Sequence, residues 1–141
     1  MNFGFSEEQD ELRKMVRRFL EEKSPESEVR RLMATSEGYD PAVWAQMANE
    51  LALQGLGIPE EFGGQGFGPV ELYVVFEEMG AALFCSPYFS TVALAANALL
   101  LVGSDEDKIA SKRLGDQHSV ERIFVNRRET RRCFPVLPQN R

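Results

Sequence analysis

An all-α fold is what this 141-residue sequence predicts, and three observations carry the prediction. Apolar residues recur at three- and four-residue steps in successive stretches, which is the period of one helix face. Ser, Asp and Pro stand just before those stretches, where a helix start needs a side-chain acceptor or a residue without an N–H of its own. Between the second and third clear stretches, six glycines and two prolines fill Gly55 to Pro69. Glycine opens backbone angles closed to other residues and proline fixes φ, so this is a shaped connector from helix to helix. The expected architecture is four principal helices, with a short additional one after Ser24, in an orthogonal or bundle-like array.

Taken in order, Ser6-Glu7-Glu8-Gln9 forms a capping box whose acidic residues suit the positive end of the helix dipole. Leu12, Met15, Val16, Phe19 and Leu20 follow as one stripe, leaving Arg13, Lys14, Arg17 and Arg18 as a solvated cluster. Ser24-Pro25 ends the run. Glu26 to Met33 suits a short helix with Val29, Leu32 and Met33 inward. Asp40-Pro41 starts the next, with Trp44, Met47, Ala48, Leu51 and Ala52 on its buried face. A lone tryptophan on such a face reads as core rather than as a flavin-stacking group.

Pro69 reopens helix, with Leu72, Val75, Phe76 and Met79 inward. Glu77 and Glu78 diverge by about 100° around the axis, so they do not serve one substrate atom and read as a cap, an ion pair or a solvated edge. Ser86-Pro87 begins a helix in which Thr91 and Asn97 are the only polar residues from Thr91 to Val102. A segment apolar all round is expected to be buried on several sides, and it falls short of the roughly 20 residues a membrane span needs. Ser104-Asp105-Glu106-Asp107 caps one more helix.

Composition narrows the function. The chain is 43% hydrophobic and 27% charged with net charge −6, and the acidic balance argues against a nucleic-acid binder. The charge is uneven: residues 1–114 carry −9 and residues 115–141 carry +3. We read 1–114 as one helical domain and 115–141, with its RRETRR run, as a basic disordered tail. Cys85 and Cys133 lack CxxC partners, and Met1 to Asp10 has no export signal, which together suggest a cytoplasmic protein without a metal site. His118 has no companion residues for catalysis. Gly64, Gly66 and Gly68 alternate instead of following G-x-G-x-x-G, and no Gly-Lys-Ser/Thr follows, so the connector is not a nucleotide fingerprint.

The compound motif GLGIPEEFGGQGFGPVEL, preceded by Trp44 and followed by VFEEMG at Val75 to Gly80, resembles the N-terminal helical domain of acyl-CoA dehydrogenases, and the resemblance runs from about Phe5 to Lys108. It implies FAD-dependent α,β-desaturation of an acyl-CoA thioester, with an electron-transferring flavoprotein as acceptor and a homo- or hetero-oligomer. Related flavoproteins oxidise nitroalkanes or hydroxylate aromatics, and a helical module docking on a full-length dehydrogenase subunit is a further reading. In the family, the helix matching the Ser86-Pro87 segment forms a wall of the acyl pocket. Anchored on Gly103-Ser104-Asp105, that wall maps to Ser90, Thr91 and Leu94, whose first two small residues leave room for a long or bulky acyl group. The family's flavin loop, Thr-Glu-Pro-x-x-Gly-Ser-Asp, and its catalytic base have no counterpart in these 141 residues. The resemblance therefore implies no catalytic or cofactor-binding residue here, no retained flavin, and no activity of the chain alone. It also implies an apolar patch where a sheet domain would lie.

Overall fold

The computed structural model describes residues 4–103, where every regular element is helical, with no strand among the described residues. The expected helix from Ser104, His118, Cys133 and the 115–141 segment lie outside the described residues. In order come α1 (Glu7–Lys23), α2 (Glu26–Met33), α3 (Pro41–Leu51), two 3₁₀ turns (Leu53–Gly55 and Glu60–Phe62) and α4 (Pro69–Ala81). A π-helical segment (Phe89–Ala96) then runs directly into α5 (Asn97–Val102).

Helices α1 and α3 start where their capping residues stand. Ser6 Oγ accepts from the Gln9 N–H at 3.2 Å while Gln9 Oε1 accepts from the Ser6 N–H at 2.9 Å, closing the capping box. Asp40 Oδ1 accepts from the Ala42 N–H at 2.8 Å, with Pro41 in the first helical position. Three helix-start donors, the N–H groups of Ser6, Gln9 and Ala42, are thus satisfied by side chains rather than by water. Gln9 also reaches across to α4, donating to Glu71 Oε1 at 2.8 Å, and the other Glu71 oxygen accepts from the Gly68 N–H. One polar chain thereby ties the starts of α1 and α4 together.

Helices α1 and α4 form the main packed pair. Val16, Phe19 and Leu20 of α1 meet Val75 and Met79 of α4, with Trp44 and Met47 of α3, Leu53 and Leu56 of the connector, and Tyr88 and Val92 closing one core. Each of these, fully buried, contributes about 1.5–3 kcal/mol before chain entropy is set against it. Ile58 and Ala96 form a second, smaller cluster that seats the connector against the π segment.

Several expected inward positions fall outside this core. Met15, Met33 and Ala52 are exposed, and Val74 is fully buried without having been expected. Helix α4 is covered along Val74, Val75, Glu78 and Met79, a broader band than a single stripe. Ala52 ends α3 in the left-handed conformation (φ 50°), which turns its side chain out of the stripe. The apolar run from Thr91 to Val102 is also not buried on several sides: Thr91, Val92 and Ala96 are covered, while Leu94 is 55% and Val102 85% exposed. Among the described residues, nothing packs on that second flank.

Tyr88 anchors the start of the π segment. Its ring stacks edge-on between Trp44 and Phe76, and its hydroxyl donates to Leu53 O at 2.8 Å in the core. Tyr88→Phe is expected to destabilise the chain by about 0.5–1.5 kcal/mol, because the buried Leu53 carbonyl loses the phenol donor and keeps only the Leu56 N–H at 3.2 Å. In urea unfolding the midpoint falls while the slope stays constant; an unchanged midpoint would show that this bond contributes nothing.

Candidate functional site

The glycine connector comes first because its backbone could have been an anion cradle. Its N–H groups are instead taken by its own carbonyls: Gly63 to Glu60 O, Gly64 to Pro59 O, Gln65 to Gly55 O, Gly66 to Ile58 O and Phe67 to Leu56 O, all between 2.8 and 3.1 Å. A cradle needs several N–H groups pointing outward together, and these point into the loop. Gly63 and Gly66 have φ of 79° and 68°, which only glycine adopts readily. The connector is a rigid spacer that sets where α4 begins, as its residue spacing implied.

The π segment presents two faces. Thr91, Val92 and Ala96 enter the interior, whereas Phe89, Ser90 and Leu94 are exposed. Of the three residues expected on a pocket wall, Ser90 and Leu94 therefore share the open face and Thr91, 2% exposed, lies on the opposite one. Ser90 Oγ donates to Pro87 O at 3.0 Å, so its hydroxyl is turned back on the backbone. Thr91 Oγ1 has no hydrogen-bond partner in the interior. The open face is continuous with Phe76 of α4 through edge-on contact of its ring with Phe89, the centroids 5.7 Å apart. Sequence reasoning missed Phe89 as part of this surface; its place one residue before Ser90 was the available signal.

The charged residues do other work. Arg17 forks onto Glu78, Nε to Oε2 at 2.8 Å and Nη2 to Oε1 at 2.7 Å. Arg13 Nη1 spans both glutamates, 2.6 Å from Glu77 Oε2 and 3.1 Å from Glu78 Oε1. The expectation of a merely solvated basic cluster on α1 is thus corrected: two of its four members clamp α4. Glu77 and Glu78 do diverge around the helix, but a long guanidinium bridges the gap between them. The Arg17 hydrogen bond, outweighing the opposing effect of burial, holds the Glu78 carboxyl below its ordinary range, with Arg13 adding to it. Such a carboxylate stays ionised and bound, which suits a clamp rather than a proton shuttle. Burial pushes the Tyr88 phenol upward, so it too stays in one protonation state. Among the described residues, no cluster of three His, Cys, Asp or Glu side chains is arranged to hold a metal.

The geometry thus leaves an apolar helix face, with Phe89, Leu94, Leu101 and Val102, exposed. The sequence profile of the family described as "Acyl-CoA dehydrogenase, N-terminal domain" matches residues 6–110. This chain belongs to the acyl-CoA dehydrogenase family. Among curated relatives, acyl-CoA dehydrogenase IpdE2 of Mycolicibacterium smegmatis is 41% identical over 101 residues, covering 72% of this chain and 32% of the relative. Acryloyl-CoA reductase (NADH) of Anaerotignum propionicum is 34% identical over 110 residues, covering 77% and 27%. Among solved structures, a variant of the Tcur3481-Tcur3483 steroid ACAD superposes with a TM-score of 0.72 at 27% identity, over 79% of this chain and 30% of that one. The ChsE4-ChsE5 complex from Mycobacterium tuberculosis gives 0.70 at 28% identity, over 82% and 32%. The chain thus spans about a third of the length of these relatives.

Acyl-CoA dehydrogenases are oxidoreductases that normally use FAD. The described residues do not fit that group as a cradle: the connector's amides are bonded internally and the two arginines nearest α4 are engaged with glutamates. What the described residues offer is shape and an apolar surface. No helix among the described residues is long and apolar enough to cross a membrane.

Proposed function

We propose that residues 1–114 form one wall of the acyl-binding cleft of an FAD-dependent acyl-CoA dehydrogenase, with Ser90 and Leu94 facing the acyl chain and Thr91, expected beside them, backing the wall from the interior. The observation that carries this reading is the open flank of the Phe89–Val102 helix within a domain whose other helices are packed. In an intact dehydrogenase FAD, which the described residues do not cradle, would supply the hydride-accepting chemistry. The chain's own part is to keep water from the acyl group and to limit its length and width. Leu94 supplies apolar surface, Ser90 keeps the wall low because its hydroxyl is folded onto Pro87, and Thr91 sets the backing from the interior side.

A low wall suits a bulky acyl group, and one structural neighbour is named for a steroid substrate class. Two neighbours are named as paired proteins or as a complex, which supports a homo- or hetero-oligomer as the working form. An electron-transferring flavoprotein as acceptor and a cytoplasmic site of action complete the proposal, with 115–141 as a basic tail beyond the helical domain. The 141 residues by themselves are proposed neither to retain flavin nor to desaturate acyl-CoA. Yellow flavin on the purified chain, or acyl-CoA-dependent dye reduction by it, would overturn that part.

The wall itself is tested in an intact dehydrogenase carrying this domain. Ser90→Phe is expected to lower kcat/KM for long or bulky acyl-CoA about ten-fold or more while leaving short substrates nearly unchanged, since a steric clash discriminates by size. Thr91→Leu, acting from behind, is expected to shift the same preference less. An unchanged ranking of substrates by size in Ser90→Phe removes the reading.

A further inference from the structure

The winding of Phe89–Ala96 has no role in anything above, and it is uncommon. Fewer than about 1% of residues in globular proteins are π-helical, mostly as single-turn bulges, yet here the winding runs for eight residues. Widened turns must narrow again where α5 begins, and a change of pitch disturbs the regular pairing of carbonyls with backbone N–H groups. The structure shows what happens there. The Asn97 backbone N–H bonds to Leu94 O. Its side-chain Nδ2 folds back to donate to Ala93 O at 2.9 Å, and more weakly to Val92 O at 3.5 Å. In a regular α-helix the backbone N–H of residue 97 would itself serve the carbonyl of residue 93; here the side chain takes that place.

We propose that Asn97 is a positioning residue that locks the π register of Phe89–Ala96, and that this register decides which side chains form the open face. The other end of the segment is pinned independently, by the Thr91 N–H and Ser90 Oγ, both bonded to Pro87 O at 3.0 Å, and by the Tyr88 hydroxyl on Leu53. With both ends held, Ser90 and Leu94 face out and Thr91, Val92 and Ala96 face in. Without the Asn97 donor, the segment is free to relax to α pitch, which turns successive residues by about 100° each and re-aims the side chains beyond Ala93. That the re-aimed residues include a determinant of acyl preference rests on the cleft-wall reading; the register itself does not.

The test uses the 141-residue chain with Leu94→Cys or Ala96→Cys and follows maleimide labelling of each new thiol by peptide mass, so that Cys85 and Cys133 are read separately. With Asn97 present, position 94 is expected to label about ten-fold faster than position 96 or more, as for exposed against protected sites. Asn97→Leu, which keeps a good helix former but no donor, is expected to bring the two rates together or invert them. Asn97→Gln, which keeps a donor, is expected to retain most of the difference, and Asn97→Asp, near in shape but without a donor, to lose it should the leucine variant fold poorly. An undiminished rate ratio in both donor-free variants overturns the proposal, as does equal loss in Asn97→Gln. In an intact dehydrogenase carrying the domain, a collapsed labelling ratio with unchanged acyl preference would support the register lock and remove the cleft-wall reading.

Discussion

Gly64→Ala is expected to lower the melting temperature by roughly 10–20 °C, the loss of about 3 kcal/mol in a domain of this size. A Cβ at Gly64 would collide with the carbonyl oxygen, the carbonyl carbon and the Cβ of Ile58. None of these can retreat easily. Ile58 is buried against Ala96, its carbonyl accepts from the Gly66 N–H at 2.9 Å, and the Gly64 N–H is itself tied to Pro59 O at 3.1 Å. Gly57→Ala provides the control, because its added Cβ meets Leu72 Cδ1 at 2.9 Å, the mobile end of a side chain that can change rotamer. Its cost is expected to stay below about 1 kcal/mol. Thermal melts of the two variants by circular dichroism check the pair; equal stabilities would show that the connector yields and is not the rigid spacer described above.

That collision also marks the limit of what the sequence could convey. The glycine spacing announced a shaped loop and excluded a nucleotide fingerprint, since both follow from local backbone rules. Which glycine is packed against which carbonyl depends on the loop folding onto Ile58, six residues earlier in the chain. Helix starts at Ser6, Pro41 and Pro69 were legible for the same local reason, because caps act within three residues. The clamp of Arg13 and Arg17 on Glu78 was not, as its partners lie more than 60 positions apart. A hint existed: both arginines flank Val16, the fully buried centre of the α1 stripe, and so stand at the edge of a packed seam. The apolar helix was expected to be buried on several sides, because a run without polar markers shows neither which flank stays open nor that the winding has changed. Asn97, one of two polar residues in that run, was the single clue.

Removing the Glu78 carboxylate carries the second large effect. Glu78 is 5% exposed and accepts from two arginines across the α1–α4 seam, so Glu78→Ala is expected to destabilise the chain by about 2 kcal/mol, given that hydrogen bonds to charged groups contribute more than neutral ones. The figure stays below that of a fully buried pair because Arg17 is half exposed and can return its guanidinium to water. Glu77→Ala, on the exposed side of the same arginine, is expected to change stability by no more than about 0.5 kcal/mol. The pH dependence follows from the direction of the shift. Arg17 and Arg13 hold the folded Glu78 carboxyl below its ordinary value of 4.5, so the unfolded chain takes up the proton first as pH falls. The stabilisation is therefore complete above about pH 5 and is lost progressively below the ordinary value, toward the lowered one. Glu71, held low first by the Gln9 amide and then by backbone N–H groups, contributes in the same direction. Urea titrations from about pH 6 to pH 3 should accordingly give Glu78→Gln a shallower loss of stability with acid than the parent chain, with the remaining slope belonging to Glu71 and other carboxylates. Identical slopes for parent and variant would mean that the arginines do not hold Glu78 in the folded state, and the seam between α1 and α4 would then rest on its apolar contacts alone.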